Sequence, residues 1–332
     1  MDSDCAAFSQ IGNGVRGLFD IEILCQLRLS SKLTRRQFFP FAAGAFAAPA
    51  QPSIAITMDD VAWKVIPSPY VDSACDRILN ALRQHGQLKA ALFAVGQAVD
   101  NDEGRTILDA WNRDGHMLGN HTWSHKNYNS AETAWFEQDI LRNETFLKAW
   151  PNYRKFFRFP VLKEGKTAEK RDAMRSFLAE HGYRNGHVTI DASDWYYDQR
   201  LRERLAAEPG FDVARYREPY LNHLWDRATY YDGLTRKVLG RSVPHTLLVH
   251  YNLINSLFLG EALNMFRKRG WNLIAAQQAY EDVIFTRQPK TAPAGESLVW
   301  ALAKETGKFD AILRYPGEDD VYEKPILDRL GL

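Results

Sequence analysis

The chain has 332 residues, with 42 Lys+Arg against 41 Asp+Glu, a formal net charge of +1 and 45% hydrophobic residues. That is globular composition, and the balanced charge offers no field to gather a polyanion, so nucleic-acid binding is disfavoured. No apolar run reaches the roughly 18 residues of a membrane-spanning helix, and the mixed charges argue against a disordered chain.

The first feature in chain order is a paired arginine before two aromatics, Thr34-Arg35-Arg36-Gln37-Phe38-Phe39. A short, weakly apolar stretch follows over 40–50 and holds small residues at Ala45-Phe46-Ala47 and Ala48-Pro49-Ala50. This order of basic segment, apolar segment and small-residue cleavage point resembles a twin-arginine export signal. It predicts an exported protein of the periplasm or cell envelope, with no stable membrane insertion after cleavage. The expected organisation is an extension over 1–50, a core domain over 51–285 and a C-terminal extension over 286–332 packed on that domain. Cleavage after Ala50 removes Cys5 and Cys25 and leaves Cys75 alone, so no internal disulfide is expected and the thiol reads as packing.

From residue 53 onward, short apolar runs alternate with longer amphipathic ones. Strands are predicted at 54–58, 90–95, 117–118, 156–159, 187–190, 247–250 and 273–275. Helices are predicted between them, as over 131–149, where Phe136, Ile140 and Leu147 share one face. Gly86, Gly115, Gly182 and Gly270 each follow a helical pattern and precede a strand, the place of a left-handed residue that ends a helix. Such alternation implies parallel strands joined by crossovers, either as an open doubly wound sheet or as a barrel. Residues 196–245 read as a charged helical insertion, and both this stretch and 286–332 are expected to cover the edge or bottom of the core, with little bearing on function.

In either architecture, chemistry gathers at the carboxyl ends of the strands. The first strand runs into Thr57-Met58-Asp59-Asp60, whose adjacent carboxylates point apart and suit two tasks. His121 and His125 are four residues apart, a spacing that brings both imidazoles onto one face of a helical turn. A carboxylate from the first strand end would complete a set of two histidines and one acid with positions left open. Arg158-Phe159-Pro160, Asp191-Ala192-Ser193-Asp194-Trp195 and Leu248-Val249-His250 end three further strands. Each cluster alone has a plain reading, as loop aspartates, surface cation, helix caps or packed histidine. Five clusters at five successive strand ends argue for one site.

These five clusters, in order, resemble the signature of the polysaccharide deacetylases, the NodB-homology carbohydrate esterases. The family's T-F-D-D is present as Thr57-Met58-Asp59-Asp60, its H-[ST]-x-x-H as His121 to His125, and its arginine before a proline as Arg158 and Pro160. D-x-x-D-W is complete at Asp191, Asp194 and Trp195, and the leucine two before a histidine is Leu248 with His250. The resemblance implies an irregular (β/α)7 barrel in which Asp60, His121 and His125 hold a divalent metal, usually zinc, with cobalt or another divalent ion as the alternative. It further implies Asp59 as general base held by Arg158, His250 as general acid with Asp191 or Asp194 setting its charge, and Trp195 and Leu248 as wall and acetyl-methyl pocket. Pro160 and Val161 fall beside the sugar, where a backbone N–H near Val161 would contact the oxyanion. Met58, Val61, Val161 and Leu162 depart from the family pattern and reshape the groove. The implied activity is metal-dependent removal of N-acetyl groups from a glycan, peptidoglycan or another acetylhexosamine polymer. O-acetyl ester hydrolysis, opening of a small cyclic amide, and a sugar-binding module without catalysis are the competing readings.

Overall fold

The computed structural model describes residues 51–315 and 319–332. The segment read as an export signal, with Cys5 and Cys25, lies outside the described residues.

β1 (Ser53–Asp60) buries its six inner residues, and β2 (Ala91–Ala94) and β3 (Met117–Asn120) are buried throughout. Strands covered on both faces are the mark of a parallel sheet packed between helices. β4 (Tyr153–Phe157), β5 (Lys163–Gly165), β6 (Arg184–Asn185), β7 (Pro244–His250), β8 (Asn272–Leu273) and β9 (Ala294–Gly295) follow. The main sheet has the order β6-β4-β3-β2-β1-β7, with β8 beside the start of β1, and every pairing in it is parallel. Helices Val71–Gln84, Asp102–Arg113, Thr133–Leu147, Ala168–Glu180, Asp194–Ala207, Arg217–Leu239 and Leu253–Lys268 provide the long connections that parallel strands require. Gly86, Gly115, Gly182 and Gly270 have φ of 76°, 77°, 71° and 83°, the left-handed geometry expected of them.

The sheet curls until its edges meet. After β6 the chain crosses to β7, where Ile190 N–H donates to Thr246 O at 3.0 Å and Leu248 N–H to Ile190 O at 3.0 Å. The expected strand over 187–190 is therefore a single bridge, Ile190 to Leu247. Two threonines add side-chain bonds at this junction: Thr246 N–H donates to Thr189 Oγ1 at 2.8 Å, and Thr189 N–H is shared between Thr246 O at 3.2 Å and Thr246 Oγ1 at 3.1 Å. The barrel is thus irregular, and this junction is where it departs from a regular ladder.

Two expectations are corrected. Residues 196–245 are a wall of the core, because Tyr220, Leu224, Ala228 and Tyr231 share one helical face and are all buried. The segment after 286 reaches the top of the sheet, where β9 pairs antiparallel with β5, Ser297 Oγ donates to Thr189 O at 2.9 Å and Leu298 N–H donates to Val188 O at 2.7 Å.

Candidate active site

β1 delivers Asp59 and Asp60 to the carboxyl end of the sheet. Asp59 is the ladder partner of His250 at the end of β7, which puts these two side chains next to each other on adjacent strands. Asp60 would point the opposite way in a regular strand, but its φ of 78° ends the extended conformation there. Asp60 Oδ1 lies 3.1 Å from His125 Nε2 and 3.4 Å from His121 Nε2. These three side chains are the candidate metal-holding group of the structure.

The electrostatics of the trio point to a cation. His121 Nδ1 approaches Arg158 O at 2.8 Å, and a carbonyl only accepts, so Nδ1 carries a proton and, in the neutral ring, Nε2 presents a lone pair. That lone pair faces Asp60 Oδ1, a buried oxygen with no hydrogen-bond partner among the described residues. Two acceptors aimed at each other repel unless a positive charge sits between them. In the bare chain the substitute charge is protonation: burial opposes it, yet the Asp60 carboxylate holds the His125 imidazole above its ordinary range.

A helical turn is not what joins the two histidines. Residues 121–125 form a loop in which Thr122 and His125 have φ of 64° and 57°. Asn120 Oδ1 accepts from Thr122 N–H at 2.9 Å, Thr122 Oγ1 accepts from His125 N–H at 2.9 Å, and Asp139 Oδ2 accepts from Ser124 N–H at 3.0 Å. These side-chain bonds fold the loop back, leaving the ring centroids 4.9 Å apart.

Asp59 is held from behind. Arg158 Nη1 donates to Asp59 Oδ1 at 2.6 Å, its Nε to Gly186 O at 2.8 Å and its Nη2 to Tyr280 OH at 2.9 Å, while the guanidinium lies 4.0 Å from the Phe93 ring centroid. Each of the three nitrogens of the buried guanidinium has a partner, which fixes the group that holds the carboxylate. Tyr280 was not anticipated, because its contact spans 122 residues of sequence. Tyr280→Phe removes that partner and leaves a buried N–H unpaired; the expected loss is about 1–3 kcal/mol of folding stability, read by urea unfolding.

His250 is held in the same manner by Asp194, not Asp191. Asp194 Oδ1 lies 2.8 Å from His250 Nδ1, and its Oδ2 accepts from His250 N–H at 2.8 Å, Asn252 Nδ2 at 2.9 Å and Asn255 Nδ2 at 2.8 Å. Burial alone would lower the imidazole, but Asp194, with Asp60 and Asp59 behind it, pushes His250 up to about 10. The proton on His250 therefore stabilises the folded chain fully below its unfolded value of about 6.5, and that contribution is lost as pH rises through 10. In metal-free protein, the stability difference between the parent and Asp194→Asn is expected to narrow over that window, as measured by denaturant unfolding at pH 6 and pH 10. Asp191 makes no such pair; burial first, then the Glu296 charge, push its carboxyl up to about 7.

These groups open into a cleft of about 500 Å³ lined by Asp59, Asp60, His121, His125, Val161, Leu162, Lys163, Asp191, Trp195, Leu248, His250 and Glu296. Arg158 and Asp194 sit behind the wall, and Pro160 does not line it either. Its ring is buried at the first position of the turn Pro160–Leu162, where a fixed φ starts the turn, and only the residues after it reach the cleft. Lys163 and Glu296 are lining residues that motif reading missed; Glu296 comes from a segment with no motif, and only the Gly295 before it hinted at a tight backbone. Among the described residues eight non-glycines have positive φ, and seven of them, Asp60, Val61, Thr122, His125, Val161, Leu162 and Glu296, line the cleft or adjoin a lining residue. Strain of about 1–3 kcal/mol per residue persists where the surroundings hold a geometry in place for function. A larger cavity of about 970 Å³ between Tyr197, His223 and Leu332 shares no lining residue with the cleft and holds no such trio.

The curled parallel sheet, with the Asp60, His121 and His125 trio and the Asp59 and His250 side chains at its carboxyl ends, defines an α/β protein built around a candidate metal centre. Residues 47–186 match the family model described as polysaccharide deacetylase. The fourth and fifth motifs, from Asp191 and from Leu248 onward, lie beyond the matched stretch. The chain is 27% identical over 155 residues to a peptidoglycan-N-acetylglucosamine deacetylase of Bacillus cereus, covering 46% of this chain and 50% of the relative. It therefore spans about half the length of that curated relative. Among solved structures it is similar to a chitin deacetylase from the fungal pathogen Colletotrichum lindemuthianum, at 18% identity and a TM-score of 0.47 over 70% of this chain and 88% of that one. It is also similar to a family 4 carbohydrate esterase pseudoenzyme from Bacillus anthracis, at 17% identity and a TM-score of 0.47 over 70% of this chain and 66% of that one.

Proposed function

We propose that the protein is an exported, divalent-metal-dependent hydrolase that removes N-acetyl groups from an acetylhexosamine polymer such as peptidoglycan. The observation that carries this reading is the buried Asp60 Oδ1 facing the Nε2 atoms of His121 and His125, beside an Asp59 and a His250 that are each held in position. Two imidazoles and one carboxylate suit zinc, and also cobalt or a similar divalent ion. When bound, the metal supplies a lowered water pKa and a polarised carbonyl.

The chain's own residues perform the proton transfers. Asp59 Oδ1 is taken by Arg158, so Oδ2 is the atom left to accept the proton of water as its oxygen bonds to the acetyl carbon. Asp194 keeps His250 protonated through Nδ1, so Nε2 delivers a proton to the amine nitrogen as the C–N bond breaks, releasing acetate and a free amine. Leu162 N–H is already bonded to Phe159 O at 3.0 Å, which makes Val161 N–H the donor for the oxyanion, worth about 3 kcal/mol. Trp195 and Leu248 supply the sugar wall and the methyl pocket.

The test is acetate release from N-acetylglucosamine oligomers and peptidoglycan fragments by protein stripped with chelator and reloaded with zinc or cobalt. Acetate only after reloading is the expected result. Stoichiometric metal without release from any member would overturn the N-deacetylase reading in favour of an ester or small amide, and failure to bind metal would favour a sugar-binding module. Export through the Thr34–Ala50 segment belongs to the same proposal, and N-terminal sequencing of the protein from the periplasmic fraction checks it.

A further inference from the structure

Lys163 and Glu296 stand in the cleft wall, form an ion pair, and have no part in the proton transfers above. They arrive from distant parts of the chain, on β5 and just after β9, and the antiparallel pairing of those two strands brings them together. The backbone that presents Glu296 is unusual. Glu296 itself has φ 67°, and Gly295 before it has φ 123° with Leu162 O only 1.9 Å from where a Cβ would stand, a position only glycine can occupy. The strained turn is pinned on both sides: Glu296 N–H donates to Leu162 O at 3.0 Å, and Ser297 Oγ to Thr189 O at 2.9 Å.

Fold stability does not account for this arrangement. A partly exposed ion pair contributes less to stability than a left-handed glutamate costs. Both side chains line the cleft and stay partly exposed, 30% for Lys163 and 18% for Glu296.

We infer that Lys163 and Glu296 form a subsite for the hydroxyl groups of an uncharged sugar ring, built jointly by β5 and the C-terminal segment, and that it sets affinity for the glycan. The inference rests on reading the cleft as a glycan site. An ammonium only donates and a carboxylate only accepts, whereas a ring hydroxyl does both, so the pair satisfies one hydroxyl or two neighbouring ones completely. Their charges cancel, which suits a neutral sugar and gives an acidic one no advantage. Asp191, pushed up to about 7 in the same wall, adds a carboxyl without restoring a strong negative field at neutral pH.

The experiment uses the full chain, an N-acetylglucosamine tetramer, titration calorimetry and acetate-release kinetics. Glu296→Gln and Lys163→Met are each expected to weaken tetramer binding and raise KM about tenfold, the loss of one charge-assisted hydrogen bond, with the change falling on KM rather than kcat. The double variant should be no weaker than the worse single, since the two act as a pair. Binding and KM within about twofold of the parent in both variants would overturn the subsite, as would a loss in kcat at constant KM or a parent that does not bind the tetramer. The two readings fail separately. Tetramer binding lost on Glu296→Gln without acetate release from the parent sinks the deacetylase but keeps the subsite; release with KM unchanged in the variants does the reverse. Gln keeps the shape of Glu and Lys163→Met leaves the β5 backbone bonds intact, so an unchanged thermal midpoint in either suffices to read the result.

Discussion

Asp59→Asn is expected to bind metal in the parent's stoichiometry and to release acetate at least about a hundredfold more slowly, since a positioned general base contributes roughly 100- to 10,000-fold. Asn preserves the shape of the side chain, and its oxygen still accepts from Arg158, which donates at 2.6 Å in the parent. It has no basic oxygen left for the proton of water. The ligand trio loses no donor, because Asp59 Oδ2 stands 3.6 Å from His121 Nε2, while Asp60 Oδ1 is the carboxylate oxygen that both imidazoles share. Metal analysis beside single-turnover kinetics separates the two effects. Loss of metal in Asp59→Asn, or turnover equal to the parent, would show that the two adjacent carboxylates have been assigned the wrong way round.

The second large effect is the converse. His125→Ala is expected to lose metal first and activity as a consequence, because a hydrogen-bonded partner of a ligand already costs about 10- to 100-fold in affinity when removed, and a ligand costs more. The variant should fold: His125 is partly exposed, and its ion pair is with Asp60 Oδ1, at 3.1 Å. Added zinc should raise the unfolding midpoint of the parent and barely move that of His125→Ala, since a ion stabilises only the state that binds it. An equal zinc-induced shift in both proteins would remove His125 from the ligand set without reference to activity. Performed together, the two substitutions separate holding the metal from moving the proton.

Reading from residues reached most of this site and stopped at identifiable places. The residues that hold Asp59 and His250 were both named beforehand, Arg158 by its motif and Asp194 as one of two candidates. Only the fold separates Asp194 from Asp191: one meets His250 Nδ1 at 2.8 Å, and the other faces the cleft near Glu296. The histidine spacing was legible, yet a helical turn was the wrong reason for it. Asn120 and Thr122 bend the chain by side-chain bonds, and spacing alone does not distinguish such a loop from a helix. Tyr280, Lys163 and Glu296 carried no motif at all.

The division has a physical basis. Alternating apolar runs, glycines after helices and polar groups at strand ends are local patterns, set by backbone geometry and the period of each element, so the α/β class, the parallel strands and the candidate residues at the strand ends could be read from the chain itself. The closure of the sheet through one bridge at Ile190, the pinning of Arg158 by Tyr280 and the delivery of Glu296 by β9 are contacts between residues 57, 122 and 133 positions apart. No local rule encodes which distant segments meet. That choice belonged to the packing of the whole core, and with it the final shape of the cleft.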